Sequence, residues 1–247
     1  MSSDNQRPEW VVGVDGCKCG WLAVFVDLTR KAVPVLRIEQ DFGSIVDANE
    51  KPQVIAVDIP IGLPDFIDGP GRVAEHAVRP LLPGKASSVF SVPSRKAIYA
   101  EEFSSLDEAK KIARETSSQK TSFSNQSRAI FEKIRQVDRL LLARPTLRKR
   151  VYETHPELAF CLLNSGVPMQ SKKKRVAGRN ERIKVLRAAH CGSELLAMRP
   201  IKGFQWDDLL DAIVCSMVAE RIQRGDAKPY PKPPAEDDHG LPIAIWA

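Results

Sequence analysis

The chain has 247 residues, 43% of them apolar, which is enough to bury a substantial core in one elaborated domain. Its 37 Lys and Arg against 31 Asp and Glu leave a formal charge of +6, a field that favours phosphate-rich partners without naming one. Five scattered cysteines argue against a disulfide framework and for free thiols, and neither a signal peptide nor a membrane-length apolar run is present, so a soluble cytoplasmic protein is expected.

In chain order, residues 1 to 9 are polar and read as a disordered tail, followed by a domain over 10 to 225. Trp10 to Val14, Trp21 to Val26 and Val33 to Ile38 read as a three-stranded antiparallel meander. Phe42 to Glu50 follows as a short helix. Gln53 to Asp58 has the near-continuous apolar character of a strand buried on both faces. An insertion of about 62 to 148 comes next, its first half broken by prolines, with Arg72, Glu75, His76 and Arg79 at helical spacing on one face. Ser124 or Asn125 caps a helix whose apolar stripe is Ile130, Ile134, Val137 and Leu141. Arg150 to Glu153 reads as a strand, Glu157 to Leu163 as a helix, and Ser171 to Arg175 as a basic loop leading into a helix over Arg179 to His190. Asp207 to Ile222 is the last strong helix, and 226 to 247 reads as a Pro-rich extended tail.

The chemistry lies in carboxylates. Where parallel strands share a direction their carboxyl ends line one edge of the sheet, and ligands bind there. Asp15 ends the first strand, Asp58 the fourth, and Glu153 a further one. Asp208 and Asp211, three apart, lie on one face of the last helix, and that stripe continues through Cys215, Val218 and Ile222, so it packs inward. Buried like charges repel unless a cation stands between them. Hard oxygen donors suit Mg²⁺ or Mn²⁺, and no Cys/His set for zinc is evident. Two such ions can activate water and stabilise the leaving oxygen in phosphodiester hydrolysis. In that scheme Asp15 bridges, Asp58 and Asp211 flank it, and Asp208 or Glu153 adds a ligand or orients a water. Plainer readings compete: Asp15 and Asp58 as turn residues, Asp208 as a helix-start carboxylate.

His155, two residues beyond Glu153 and on the same side of an extended chain, is a candidate proton relay. Arg72, Arg79, Arg95 and Lys172 are candidates to grip phosphate oxygens, and Ser88 to donate a hydroxyl. Cys17 and Cys19 read as incidental.

These blocks carry a resemblance: Val14-Asp-Gly16 with Gly20-Trp21, Asp58-Ile-Pro-Ile-Gly-Leu-Pro64, Ser87-Ser-Val-Phe90 with Pro93 and Arg95, Ser124 to Gln126, Lys133 to Asp138, Glu153-Thr-His-Pro-Glu157, Ser171-Lys-Lys173 on to Gly178 and Glu181-Arg182, and Asp208-Leu-Leu-Asp-Ala212. Over about residues 11 to 222 the chain resembles an uncharacterised family of predicted nucleases of the ribonuclease-H fold, the domain of unknown function 429. That resemblance implies a mixed five-stranded α/β sheet of order 3-2-1-4-5, a metal site with acids on the first strand, fourth strand and last helix, and nucleic acid as partner. A fold transfers function only by analogy. An actin-like or sugar-kinase-like phosphotransferase shares the opening strand-Asp-Gly-hairpin but needs a Gly-rich nucleotide loop that is not evident. The same residues are compatible with a non-catalytic nucleic-acid-binding module of this fold, and with hydrolysis of a small phosphorylated molecule.

Overall fold

Alternation along the strands decides which side chains meet. The computed structural model describes residues 8–247, so the tail expected over 1 to 9 falls outside the described residues except at its last two positions. Strand β1 (Trp10–Cys17) turns at Lys18 and Cys19 into the antiparallel β2 (Gly20–Asp27), and β3 (Val35–Glu39) pairs with β2. After α1 (Phe42–Val46), β4 (Val54–Val57) pairs parallel with the other side of β1, and β5 (Val151–Glu153) pairs parallel with β4. The sheet is thus mixed, in the order β3-β2-β1-β4-β5. The hairpin ladder runs on through Asp15↔Leu22, so Asp15 lies inside β1 and not at its end.

Successive residues of β1 and β4 face opposite cores. Val12, Val14, Ile55 and Val57 join one with Trp21 and Phe25, and helices of the insertion cover it. Those helices are α2 (Val73–Val78), α3 (Arg95–Phe103), α4 (Leu106–Glu115), α5 (Asn125–Arg128) and α6 (Phe131–Ala143), of which α3, α4 and α6 supply this core. Ser124 does cap a helix, accepting the Ser127 N–H at 3.0 Å, but it caps the single turn α5, and the apolar stripe through Ile134, Val137 and Leu141 belongs to the separate α6.

Val11, Val54 and Ala56 face the other core, with α7 (Pro156–Leu163), α8 (Val176–Ala188), α9 (Ser193–Ala197) and α10 (Trp206–Arg224). Helix α10 lies directly on β1 because Gly13 has no side chain: a Cβ there would overlap the backbone of Ala212 and Ser216. This close approach sets Asp211 of α10 beside Asp15, which shares the Gly13 face of the strand.

The Pro-rich segment is not a tail. Strands β6 (Pro229–Glu236) and β7 (Pro242–Trp246) form an antiparallel hairpin, and Thr154 donates its hydroxyl to Trp246 O at 2.8 Å. Ile243 and Ile245 pack with Val78, Leu158 and Cys161 in a third, smaller core. Prolines are tolerated because this two-stranded ribbon is all edge, where a missing N–H costs no ladder bond.

Candidate active site

Beyond the carboxyl ends of β1, β4 and β5 lies a cleft of about 790 Å³. Its floor carries Asp15, Asp58 and Asp211, contributed by β1, the residue after β4, and α10. Asp15 and Asp211 are buried and Asp58 is half-buried. Burial, followed by repulsion from Asp211 and Asp58, holds the Asp15 carboxyl well above the usual range. Burial also raises Asp58, against the pull of His155 and Lys173. Burial brings Asp211 up to about 6, opposed chiefly by Lys173, whose Nζ donates to Asp211 Oδ2 at 2.7 Å.

Polar atoms without partners concentrate here. Asp211 Oδ1, Glu157 Oε2, His155 Nδ1 and Arg182 Nε are buried with no hydrogen bond, and all four residues line the cleft. Arg182 does pair with Glu157 through Nη2. His155 shares its Nε2 with Ser88 O at 3.2 Å. Around the rim stand Lys85, Lys133, Lys172 and Lys174, none of which forms an ion pair among the described residues. Lys133 lies over the Trp21 ring, 5.5 Å from its centroid.

Several expected site residues have other work. Glu153 pairs in register with Val57, so its side chain leaves β5 on the face opposite Asp58. There it is held by Arg72, which donates Nη2 to Oε1 at 2.7 Å and Nη1 to Oε2 at 3.1 Å, and by the Ile61 N–H at 2.7 Å. Arg72 is spent as well, because it also binds Glu75 and the Ile61 carbonyl. Both residues border the cleft as a buried ion-pair wall, with burial pushing Glu153 up to about 7 and Arg72 pulling it back. Arg79 donates to Val89 O and Pro70 O, and Arg95 is clamped between Asp138 and Asp237, both at 2.5 Å, so neither guanidinium reaches the cleft. Asp208 lies outside the cleft lining and accepts the Gln205 N–H at 2.8 Å as the reciprocal partner of a capping box at the start of α10. Ser88 lines the cleft but gives its hydroxyl proton to Lys85 O.

Lys172 is on the rim as expected, yet its neighbour Lys173 is the cation that enters the acidic floor. The run of three lysines signals a charged loop and not which member points inward. Asp237, which clamps Arg95, also went unread because it sits in the Pro-rich stretch.

Among the described residues, no three His, Cys, Asp or Glu side chains are arranged to hold a metal ion. The donors present are nonetheless hard oxygens of the kind Mg²⁺ and Mn²⁺ take, and Asp211 Oδ1 is an unused one. The cation now meeting these acids is the Lys173 ammonium.

The architecture is that of an α/β protein with a mixed five-stranded sheet flanked by helices, carrying an acid-floored cleft at the carboxyl edge of its parallel strands. The chain belongs to the family of proteins of unknown function DUF429, whose model matches residues 13–236. No curated protein and no solved structure matches it. Among the described residues no helix is long and apolar enough to cross a membrane.

Proposed function

We propose that this is a ribonuclease-H-like hydrolase that cleaves phosphodiester bonds of nucleic acid with Mg²⁺ or Mn²⁺. The observation that carries the reading is a charge layout: three recessed carboxylates from separate elements form the floor of a cleft rimmed by four lysines that have no carboxylate partner among the described residues. Lysines at the rim attract and hold phosphate oxygens, while the acids repel them, so phosphate binding at the floor calls for a cation between the two. Asp15, Asp58 and Asp211 would hold such an ion, which supplies Lewis acidity toward the phosphate and an activated water.

The chain's own residues do the rest. Lys85, Lys133, Lys172 and Lys174 bind and orient the phosphate backbone. His155, with Nδ1 unpartnered in the cleft, is placed to move a proton to or from the reacting oxygens. The Arg72–Glu153 pair keeps the adjoining wall rigid.

The test is cleavage of single-stranded and duplex DNA and RNA, and of bis(p-nitrophenyl) phosphate, by metal-stripped protein with and without Mn²⁺. Turnover that requires Mn²⁺ and disappears in Asp15→Asn supports the reading. Cleavage indifferent to chelator, or full activity in Asp15→Asn, overturns it.

A further inference from the structure

Lys173 reaches Asp211 from a turn between Ser171 and α8 that is fastened on both sides. Glu181 accepts the N–H groups of Gln170 and Ser171 at 2.7 and 2.8 Å, and Arg182 donates to Ser171 O at 3.4 Å. The Lys172 carbonyl packs so closely on Gly178 that any Cβ at that position would collide with it. The fold therefore delivers this particular lysine to the acids. Asp211 is 1% exposed and the Lys173 side chain 42%, so the carboxylate is shut in while the lysine reaches it from the solvent side.

The pair is also incomplete. Lys173 satisfies Asp211 Oδ2 and leaves Oδ1 without a partner, while among the described residues the carboxylate oxygens of Asp15 and Asp58 accept no hydrogen bond. Lys173 is thus the one ammonium hydrogen-bonded to the three acids among the described residues, and it reaches a single oxygen of one of them.

Resting on the reading that these acids hold a divalent ion, we infer that Lys173 is the resident cation of the metal-free cleft and competes with the metal for Asp211. A metal ion at Asp211 meets the repulsion of the ammonium and must displace a charge-assisted hydrogen bond. Lys173 thereby sets metal affinity, and the protein binds its ion more weakly than the acids alone would.

The experiment is Mn²⁺ titration of the metal-stripped full chain, followed by the electron paramagnetic resonance signal of free Mn²⁺, in wild type, Lys173→Met, Lys173→Gln and Lys173→Arg. Both neutral variants are expected to bind Mn²⁺ about tenfold or more tightly than wild type, with Lys173→Arg returning to the wild-type value. Thermal melts supply a second readout: in chelator the neutral variants melt below wild type, because Asp211 has lost its counter-charge, and Mn²⁺ raises them by more than it raises wild type. If wild type binds Mn²⁺ and the neutral variants bind equally or less tightly, the competition is overturned and the metal reading stands. If no variant and no wild type binds Mn²⁺, both fall together.

Discussion

Gly13 of β1 and Ser216 of α10 meet backbone to backbone, with no space between them for a side chain. The meeting of Asp15 and Asp211 in the acidic floor follows from that contact, since it is what lays the helix bearing Asp211 along the strand bearing Asp15. Gly13→Ala is expected to lose about 1–3 kcal/mol of stability, because neither backbone can yield without moving the helix. Gly16→Ala is the control: its Cβ would meet only the flexible Lys133 side chain, at 2.8 Å, and a smaller loss is expected. Denaturant midpoints of the two variants check this. Equal losses would sink the argument from backbone crowding.

Asp211 predicts a pH dependence of definite sign. Burial raises its folded-state value to about 6 from an ordinary 3.8, so the folded protein holds the proton over a range in which the unfolded chain has released it. Stability contributed by this group is therefore present at low pH and lost as pH rises from about 4 through about 6. Relative to Asp211→Asn, which cannot titrate, metal-free wild type should become progressively less stable across that window and level off above it. Thermal melts of both proteins in chelator from pH 4 to 7.5 measure the difference. A difference that is flat, or that rises with pH, contradicts the assignment.

The sheet order came from the resemblance of whole sequence blocks to a family, whereas the gathering of Asp15, Asp58 and Asp211 was legible locally, in carboxylates near the ends of apolar strands and on the inward-facing stripe of the last helix. What decides the remaining roles is not local. Glu153 looks equivalent to Asp58 until the Val57↔Glu153 register turns it to the opposite face, and nothing in Val151 to Glu153 states that register. Arg72, Arg79 and Arg95 read as free guanidiniums because, apart from Glu75 one turn from Arg72, their partners lie 9 to 142 residues away. Among Lys172, Lys173 and Lys174, the fastening of the turn by Glu181 and its packing on Gly178 select the one that faces the acids.

Asp208 and Asp15 separate a capping carboxylate from a floor carboxylate. Asp208→Ala removes the acceptor for the Gln205 N–H and should cost about 1 kcal/mol, leaving Mn²⁺ affinity and any phosphodiesterase activity at wild-type levels. Asp15→Asn should do the reverse. It abolishes activity and keeps or raises the melting temperature of the metal-free protein, because a buried, repelled charge becomes neutral. Paired activity and melting measurements on the two variants check both directions. Loss of activity in Asp208→Ala at unchanged stability would return that residue to the site.

Asp237 is the joint that makes the C-terminal hairpin part of the domain. Its Oδ2 accepts the Leu63 N–H at 2.8 Å and the Arg95 guanidinium at 2.5 Å, and its Oδ1 accepts the His239 and Leu241 N–H groups at 2.9 Å. Asp237→Ala would leave Arg95 with Asp138 alone and strand two buried backbone donors, those of Leu63 and Leu241. A cost of about 3–5 kcal/mol is expected, the range for breaking a buried pair from one side. Asp238→Ala, one residue on, removes an exposed acceptor of the Asp65 N–H and should change stability by less than about 1 kcal/mol. Urea denaturation of both variants decides the matter: comparable small losses would mean that residues 226 to 247 are a dispensable tail after all, and a large loss confined to Asp237→Ala means that the hairpin holds the start of the insertion in place beside the cleft.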